Sequence, residues 1–573
     1  MANREVILEH RGALTLRTSD YITTGGEGSV YKKGDTVIKI YTDPKKMQNE
    51  GMPEKIRLLS RLAHEYIIEP KGLVMNKAGN PIGFYMAHAA GEPLSRVFTN
   101  DFRTREAFGD DDVLVLADRM RNVCIFAHGK NALLVDPNEL NWLVALSKKD
   151  GPAPRAIDVD SWAIGKWKGT VIMPSIRDWH SRVFDQRTDW YAWGIVTFQL
   201  FTGIHPYKGK LDGYKPGEME RRMKENASVF RPDIRLNSAV RDFACIPNRL
   251  LNWYVATFER GERTIPPSPF DIAHIPTPAI QTLRAVVTGS GLLTYQKLLS
   301  GVGDPIIRIF TNGIVLSKSG KLLHLGTKRE IGRTTSLDIE VVAVHGGYVK
   351  VEKNNGQFLF SFMNGVSLQE QPLSCPIQPH SIVWYEDRMF AVTEQGLSEL
   401  VFRILGKPIL SMGQTWGAMM NATRWYDGVG IQDAMGATYV IAPFEAASCA
   451  HIRVHELDGM KPINAKAGNR FIVIIAIDRS GRYHKIELTM DRVYKQYVFW
   501  KREKDSPELN TVILPKGVAA VIEEDGELNI YVPTNGALNK IKDKGIKTDR
   551  PLSRWGDIVT YIHDGDIWSI RVK

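Results

Sequence analysis

The feature that most limits what this chain can become is a recurring turn. The dipeptides Asn312-Gly313, Gly346-Gly347, Glu386-Asp387, Tyr426-Asp427, Gly468-Asn469, Lys516-Gly517 and Gly556-Asp557 stand 34, 40, 40, 42, 48 and 40 residues apart, each ahead of an apolar run. Most are followed by a second turn, as at Ser319-Gly320, Asn355-Gly356, Ser480-Gly481, Asp525-Gly526 and Asp564-Gly565. Such pairs supply the positive φ that tight hairpins need. Beyond about Gly289 helix signals nearly vanish, and short β-branched and aromatic runs take over. A period near 40 residues in an all-β stretch predicts a propeller with one four-stranded blade per repeat. Seven blades need roughly 287 residues at that period. The stretch from Tyr295 to Lys573 offers 279, so seven is the expected number. A pair of β-sandwiches is the competing architecture, and the Gly-His…Trp-Asp signature of WD40 arrays is absent.

The preceding half mixes strand and helix signals, and a chain of 573 residues needs more than one core. Between the halves, Pro266, Pro267, Pro269, Pro276 and Pro278 crowd a stretch that can continue neither a helix nor a central strand. The expected organisation is an N-terminal extension over 1–13, a mixed domain over 14–272, a Pro-rich linker over 273–288 and the β-propeller over 289–573. Net charge is +10, but no run of five or more like charges marks a nucleic-acid tail, so the lysines read as solvated surface. Four scattered cysteines form no CxxC pair, which argues against a zinc site or a disulfide scaffold. The apolar run Phe471 to Ile477 is too short to span a bilayer. The start lacks a signal-peptide layout, so the expectation is a cytoplasmic protein with no membrane association.

Chemistry concentrates in the first half. Gly25, Gly26 and Gly28, ahead of Val30, lie between strand-like runs, where missing Cβ atoms let backbone N–H groups approach phosphates. Lys39 interrupts the apolar strand Thr36 to Tyr41, and a buried ammonium there demands a partner. A helix follows with Ile56, Leu59 and Leu62 on one face and Glu54 at its start, which would suit either the helix dipole or Lys39. Asp136 and Asn141 stand five apart between two apolar strand pieces, after a helix whose Val113, Leu116, Met120 and Val123 keep helical spacing. They suit one hydroxyl-orienting carboxylate and one neutral metal ligand. Asp158 and Asp160 end a short strand, as hard oxygen ligands for Mg²⁺ would. Asp158 is favoured over Asp160 as the ligand, because buried Ile157 fixes its strand while Asp160 begins the turn.

In this order the residues resemble the protein-kinase signature set: glycine loop, strand lysine, helix glutamate, D-x-x-x-x-N, then D-F-G. The resemblance extends through Gly169 to Ser175, Thr188 to Gly203, His205-Pro206-Tyr207 and Arg263, about 250 residues in all. It is closest to a bacterial group of kinase domains with G-G-E-G-x-V-Y, D-x-N-x-x-N-I-L-V and I-D-x-D-S-F motifs, some fused to helix-hairpin-helix modules. No such module is visible here, so DNA binding does not carry over. The resemblance implies a bilobal α+β kinase-like domain, of bacterial or phage origin, that uses ATP and Mg²⁺. Gly25, Gly26, Gly28, Val30 and Lys39 would hold ATP, with Glu54 paired to Lys39. Asn141 and Asp158 would hold the metal, and Asp136 would orient the acceptor hydroxyl. Asn138 stands where serine/threonine kinases place a γ-phosphate lysine.

Other departures are Thr23 for the first loop glycine, Leu134-Val135 for His-Arg, Val159-Asp160 for Phe-Gly, and Ser175 for the glutamate that normally pairs with Arg263. The function implied is a serine/threonine protein kinase with a propeller that docks a protein substrate or partner. A pseudokinase acting through its propeller, or a small-molecule phosphotransferase, would use the same residues differently.

Overall fold

The computed structural model describes residues 4–43, 45, 47, 51–147, 149–169, 171–271, 280, 283–284, 291–336, 338–354, 356–445 and 448–573. The protein is multidomain and mostly β, with many antiparallel sheets and few helices. Among the described residues no helix is long and apolar enough to cross a membrane.

The chain begins with β1 (Arg4–Leu8), β2 (Gly12–Leu16), β3 (Tyr21–Thr24), β4 (Gly28–Lys33) and β5 (Thr36–Tyr41). Helix α1 (Met52–Leu59) and strands β6 (Pro70–Met75) and β7 (Pro81–Ala87) follow. The strands form one sheet in the order β2-β1-β6-β7-β5-β4-β3. The described part of the expected extension over 1–13, from Arg4 on, therefore contributes β1 and the start of β2 to this sheet, and a boundary after residue 13 falls inside β2. Val6 and Leu8 bury one face of β1, which explains why the segment joins the sheet.

Helices then take over. After β8 (Glu92–Pro93) come α2 (Leu94–Val97), α3 (Asn100–Glu106) and α4 (Asp110–Gly129), whose first turn carries three aspartates at the favourable helix end. Val113, Leu116, Met120 and Val123 of α4 are all buried. Strands β9 (Ala132–Leu133), β10 (Trp142–Ala145), β11 (Ala153–Ala156) and β12 (Ala163–Ile164) lead to α5 (Gln186–Thr202). Asp185 caps α5 by accepting from Arg187 and Thr188 N–H, and Gly203, at φ 81°, ends it. Every residue from Thr188 to Thr202 is buried, as an all-round apolar helix requires. Gly194 is needed there, because a Cβ would sit 2.9 Å from the Trp253 ring.

The proposed linker over 273–288 lies largely outside the described residues. The prolines just before it are not free: the Pro266 carbonyl accepts from Arg121 Nε at 2.9 Å, and Ser268 donates to Asp118 at 2.7 Å.

From Leu293 onward the described chain is built of seven four-stranded antiparallel sheets. Six are sequential, over 306–333, 339–373, 381–416, 423–453, 461–504 and 511–542. The seventh joins Leu293–Leu299 to Leu552–Trp555, Ile558–His563 and Asp566–Val572, so the region's first strand pairs with its last. Each of the seven first turns named above joins the first two strands of a sheet, or in the seventh sheet the first two strands after residue 550. All seven sheets send at least one strand to the wall of a single cavity of about 570 Å³. Helices α2 and α3 contribute Arg96, Asp101 and Arg105 to the same wall.

The two halves share a core. Ile463, Phe471, Val473, Ile475 and Tyr483 of the fifth sheet pack into the cluster that holds α4 and α5. Asn100 N–H donates to Glu508 at 2.7 Å, and Lys208 donates to the Lys504 carbonyl at 2.7 Å. At the other end, Thr23 of β3 donates to Asp433 of the fourth sheet at 2.7 Å, and Ala422 packs into the core of the N-terminal sheet.

Candidate active site

The hairpin from β3 to β4 closes through Gly25 N–H donating to the Gly28 carbonyl at 2.9 Å. Gly28 is dictated by the fold, since a Cβ there would lie 2.4 Å from the Ile40 carbonyl oxygen. Gly26 is not: a Cβ would meet nothing within 4 Å, and that of Gly25 would only reach the Gly28 carbonyl at 4.0 Å. Val30 lies opposite Lys39 in the β4–β5 register.

Lys39 is 6% exposed. Its Nζ donates to Asp158 Oδ1 at 2.7 Å and to both oxygens of Asp160, at 2.9 and 2.8 Å. Glu27 stands 3.7 Å away. Burial works against the ammonium, but the Asp160 and Asp158 carboxylates outweigh it and hold its pKa above the ordinary lysine value. Burial likewise opposes ionisation of Asp160, yet Lys39 and the Tyr41 hydroxyl, which donates at 2.6 Å, keep its carboxyl below the usual range.

The two aspartates divide sharply in exposure: the Asp158 side chain is 39% exposed and that of Asp160 1%. The cause is local. Asp158 adopts φ 57°, a left-handed conformation, and a single 3₁₀ turn over Val159–Ser161 then turns Asp160 inward.

Glu54 does not join this cluster. It is 62% exposed and pairs with Lys166 at 3.1 Å. Helix α1 instead buries its next residue, Lys55, whose Nζ donates to the Asp160 carbonyl at 2.6 Å. The phase of α1 thus differs by one residue from that implied by the resemblance.

The loop from β9 to β10 carries Asp136, Asn138 and Asn141. Buried Asp189 of α5 anchors it, accepting from Leu134 N–H at 2.8 Å, Val135 N–H at 2.9 Å and His128 Nε2 at 2.9 Å. Val135 is held at φ 66°, a strained value for a β-branched residue. Asn141 Nδ2 donates to the Asp136 carbonyl at 2.9 Å, and Ile157 N–H donates to the Asn141 carbonyl at 3.0 Å. That last bond seats the Asp136 loop beside Asp158. Asn138 is buried and turned into its own loop, accepting from Leu140 N–H at 2.8 Å.

Asp136 Oδ1 accepts from Met173 N–H at 3.0 Å. Burial raises its pKa to about 6, with that hydrogen bond opposing the rise. The Met173 segment is itself fixed: a Cβ at Gly169 would lie 2.6 Å from the Val135 side chain. The Gly481 turn of the fifth sheet presses on Ser175 from outside.

Four residues of this site escaped the sequence reading in the roles they hold: Asp160, Lys55, Asp178 and Asp189. Asp178 supplies the carboxylate that Ser175 lacks, receiving Arg263 Nε at 2.6 Å and Nη2 at 2.9 Å. Asp189 carried a usable signal, a lone carboxylate in an otherwise apolar helix. Compared with known protein families and with curated proteins, the chain matches no family model and no curated sequence.

Proposed function

We propose that the N-terminal half is a bilobal protein-kinase-like domain that transfers the γ-phosphoryl of Mg-ATP to a serine or threonine hydroxyl. The observation that carries this reading is the 2.7 Å contact of Lys39 with Asp158, 119 residues on, beside a loop that presents Asp136 and Asn141. Nothing in the fold requires glycine at Gly26, and its open surroundings fit a phosphate cradle that a side chain would fill. Gly25, Gly26, Gly28 and Val30 would cover the nucleotide, Lys39 would hold its α- and β-phosphates, and Asp158 with Asn141 would hold Mg²⁺. The bound metal nucleotide supplies the phosphoryl group and the charge neutralisation of its leaving oxygen. Asp136, poised near pH 6, would orient the acceptor hydroxyl and take its proton.

In the same reading the seven sheets are blades of a propeller around the shared cavity, closed by the pairing of Leu293 with Val572. Its outer surface would dock a protein partner or substrate.

One observation favours the alternative of a pseudokinase: Asp136 already accepts from Met173, in a segment covered by the Gly481 turn. Labelled Mg-ATP decides between the two. An active enzyme gives phosphorylated serine or threonine in mass spectra, lost in Asp136→Asn while nucleotide binding persists. Nucleotide binding without transfer under Mg²⁺ or Mn²⁺ selects the pseudokinase, and absence of both rejects the nucleotide site.

A further inference from the structure

We infer that Asp160 is the positioning residue for Lys39, replacing the glutamate that the kinase resemblance places at Glu54 and leaving Asp158 free for a metal. The inference rests on the nucleotide-binding reading above and departs from the pattern that suggested it.

Asp160 is fixed from three directions. Both carboxylate oxygens receive Lys39, at 2.9 and 2.8 Å, one of them also receives the Tyr41 hydroxyl, and its backbone carbonyl receives Lys55. With 1% of its side chain exposed, it cannot turn outward to a metal without abandoning a buried ammonium. Asp158 makes a single contact to Lys39 through Oδ1, and 39% of its side chain already faces solvent. A metal that draws Asp158 away therefore leaves Lys39 held by Asp160. Lys39 has three N–H donors, so the one released by Asp158 becomes available to a phosphate oxygen. Glu54 has no route to this role, because Lys55 fills the buried face of α1 beside the Asp160 carbonyl.

The two aspartates then differ in how their loss depends on metal. Removing Asp160 acts through Lys39 and should weaken nucleotide binding whether or not Mg²⁺ is present. Removing Asp158 should weaken it only with Mg²⁺.

The test uses the full chain, with a fluorescent ATP analogue titrated in EDTA and in Mg²⁺. Separately, Lys39 acylation by an N-hydroxysuccinimide ester is followed by peptide mass spectrometry without nucleotide. Asp160→Asn should raise Kd about 10- to 100-fold in both buffers, the loss expected for one charge-assisted hydrogen bond. It should also speed Lys39 acylation severalfold. Glu54→Gln should reproduce neither effect. Should Asp160→Asn fail to fold, Tyr41→Phe, which removes the hydroxyl that fixes Asp160, should shift both readouts the same way by less. Wild-type affinity and protected Lys39 in the Asp160 or Tyr41 variant would overturn the inference, as would an equal effect of Glu54→Gln. Were the wild type to bind no nucleotide in either buffer, the nucleotide reading would fall. The acylation arm would still decide whether Asp160 holds Lys39.

Discussion

Tyr483 donates to Glu139 Oε1 at 2.6 Å, so a hydroxyl of the fifth sheet satisfies one oxygen of a buried carboxylate three residues beyond Asp136. Glu139 Oε2 has no partner among the described residues, and burial pushes the Glu139 carboxyl above the usual range. Tyr483→Phe leaves that carboxyl without its donor. It should destabilise the whole protein by about 1–3 kcal/mol, read as a lowered midpoint in thermal or urea unfolding. An unchanged midpoint would mean that the junction is not held here.

Asp136 links stability to pH with a definite sign. Its pKa is raised from 3.8 to about 6 in the fold, so the folded chain binds this proton more tightly than the unfolded chain does. The group's contribution is complete below about pH 4 and is lost as pH rises through about 6. Asp136→Asn should therefore be the more stable protein at pH 7 while losing phosphoryl transfer, and the two Tm values should converge near pH 4. A Tm difference independent of pH would contradict the burial of this carboxyl. In the active protein the transfer rate should climb with pH through about 6 and then level.

Asp178 and Arg263 form a doubly hydrogen-bonded pair in which the side chains are 3% and 14% exposed. Asp178→Ala strands a largely buried guanidinium and should cost about 3–5 kcal/mol in chemical denaturation. The Asp178 carboxyl lies below its ordinary range because its bonds to Arg263 outweigh burial, so this stabilisation is lost as pH falls through its folded pKa. Ser175→Glu should not rescue Asp178→Ala, because the Gly481 turn packs closely against the Ser175 side chain and leaves no room for a longer one.

Gly481 tests the joint between the halves. It sits at φ 79°, and a Cβ would lie 2.0 Å from Ser175 Oγ and 2.6 Å from Ser175 Cβ. With a protease site inserted within 272–279, the cut wild-type fragments should still co-elute in gel filtration, held by the shared core around Tyr483 and Phe471. Gly481→Val should weaken their association by at least about 1–3 kcal/mol, the usual range for overpacking, and separate them at low concentration. Separation of the wild-type fragments would restore the expectation of independent halves.

The features legible in the sequence are those with local causes. Turns at Asn312-Gly313 or Asp564-Gly565 demand positive φ from the residues themselves, here at Gly313, Asp564 and Gly565, so strand boundaries could be placed from the sequence. Lys39 stands out because Ile38 and Ile40 bury its strand. Illegible features depend on where distant segments meet. The face that α1 turns inward is marked by Lys55 meeting the Asp160 carbonyl, a contact 105 residues away in sequence. Asp178 meets Arg263 across 85 residues, and Asp160 meets Lys39 across 121. The hairpin of β1 and β2 had a weak signal in the alternation around Val6 and Leu8, too short to separate from an extension.

Thr23 is tied to Asp433 of the fourth sheet, and Glu139 to Tyr483 of the fifth, so neighbouring sheets hold both the N-terminal sheet that carries Lys39 and the loop that carries Asp136. The two regions cannot move apart without breaking such ties, which also include Asn421 to Ser19 and Asn100 to Glu508. For a nucleotide bound as proposed, entry and departure would face the same added barrier, which lengthens residence without changing equilibrium affinity. Slow exchange of a nucleotide at ordinary affinity is the kinetic signature such a splint would leave.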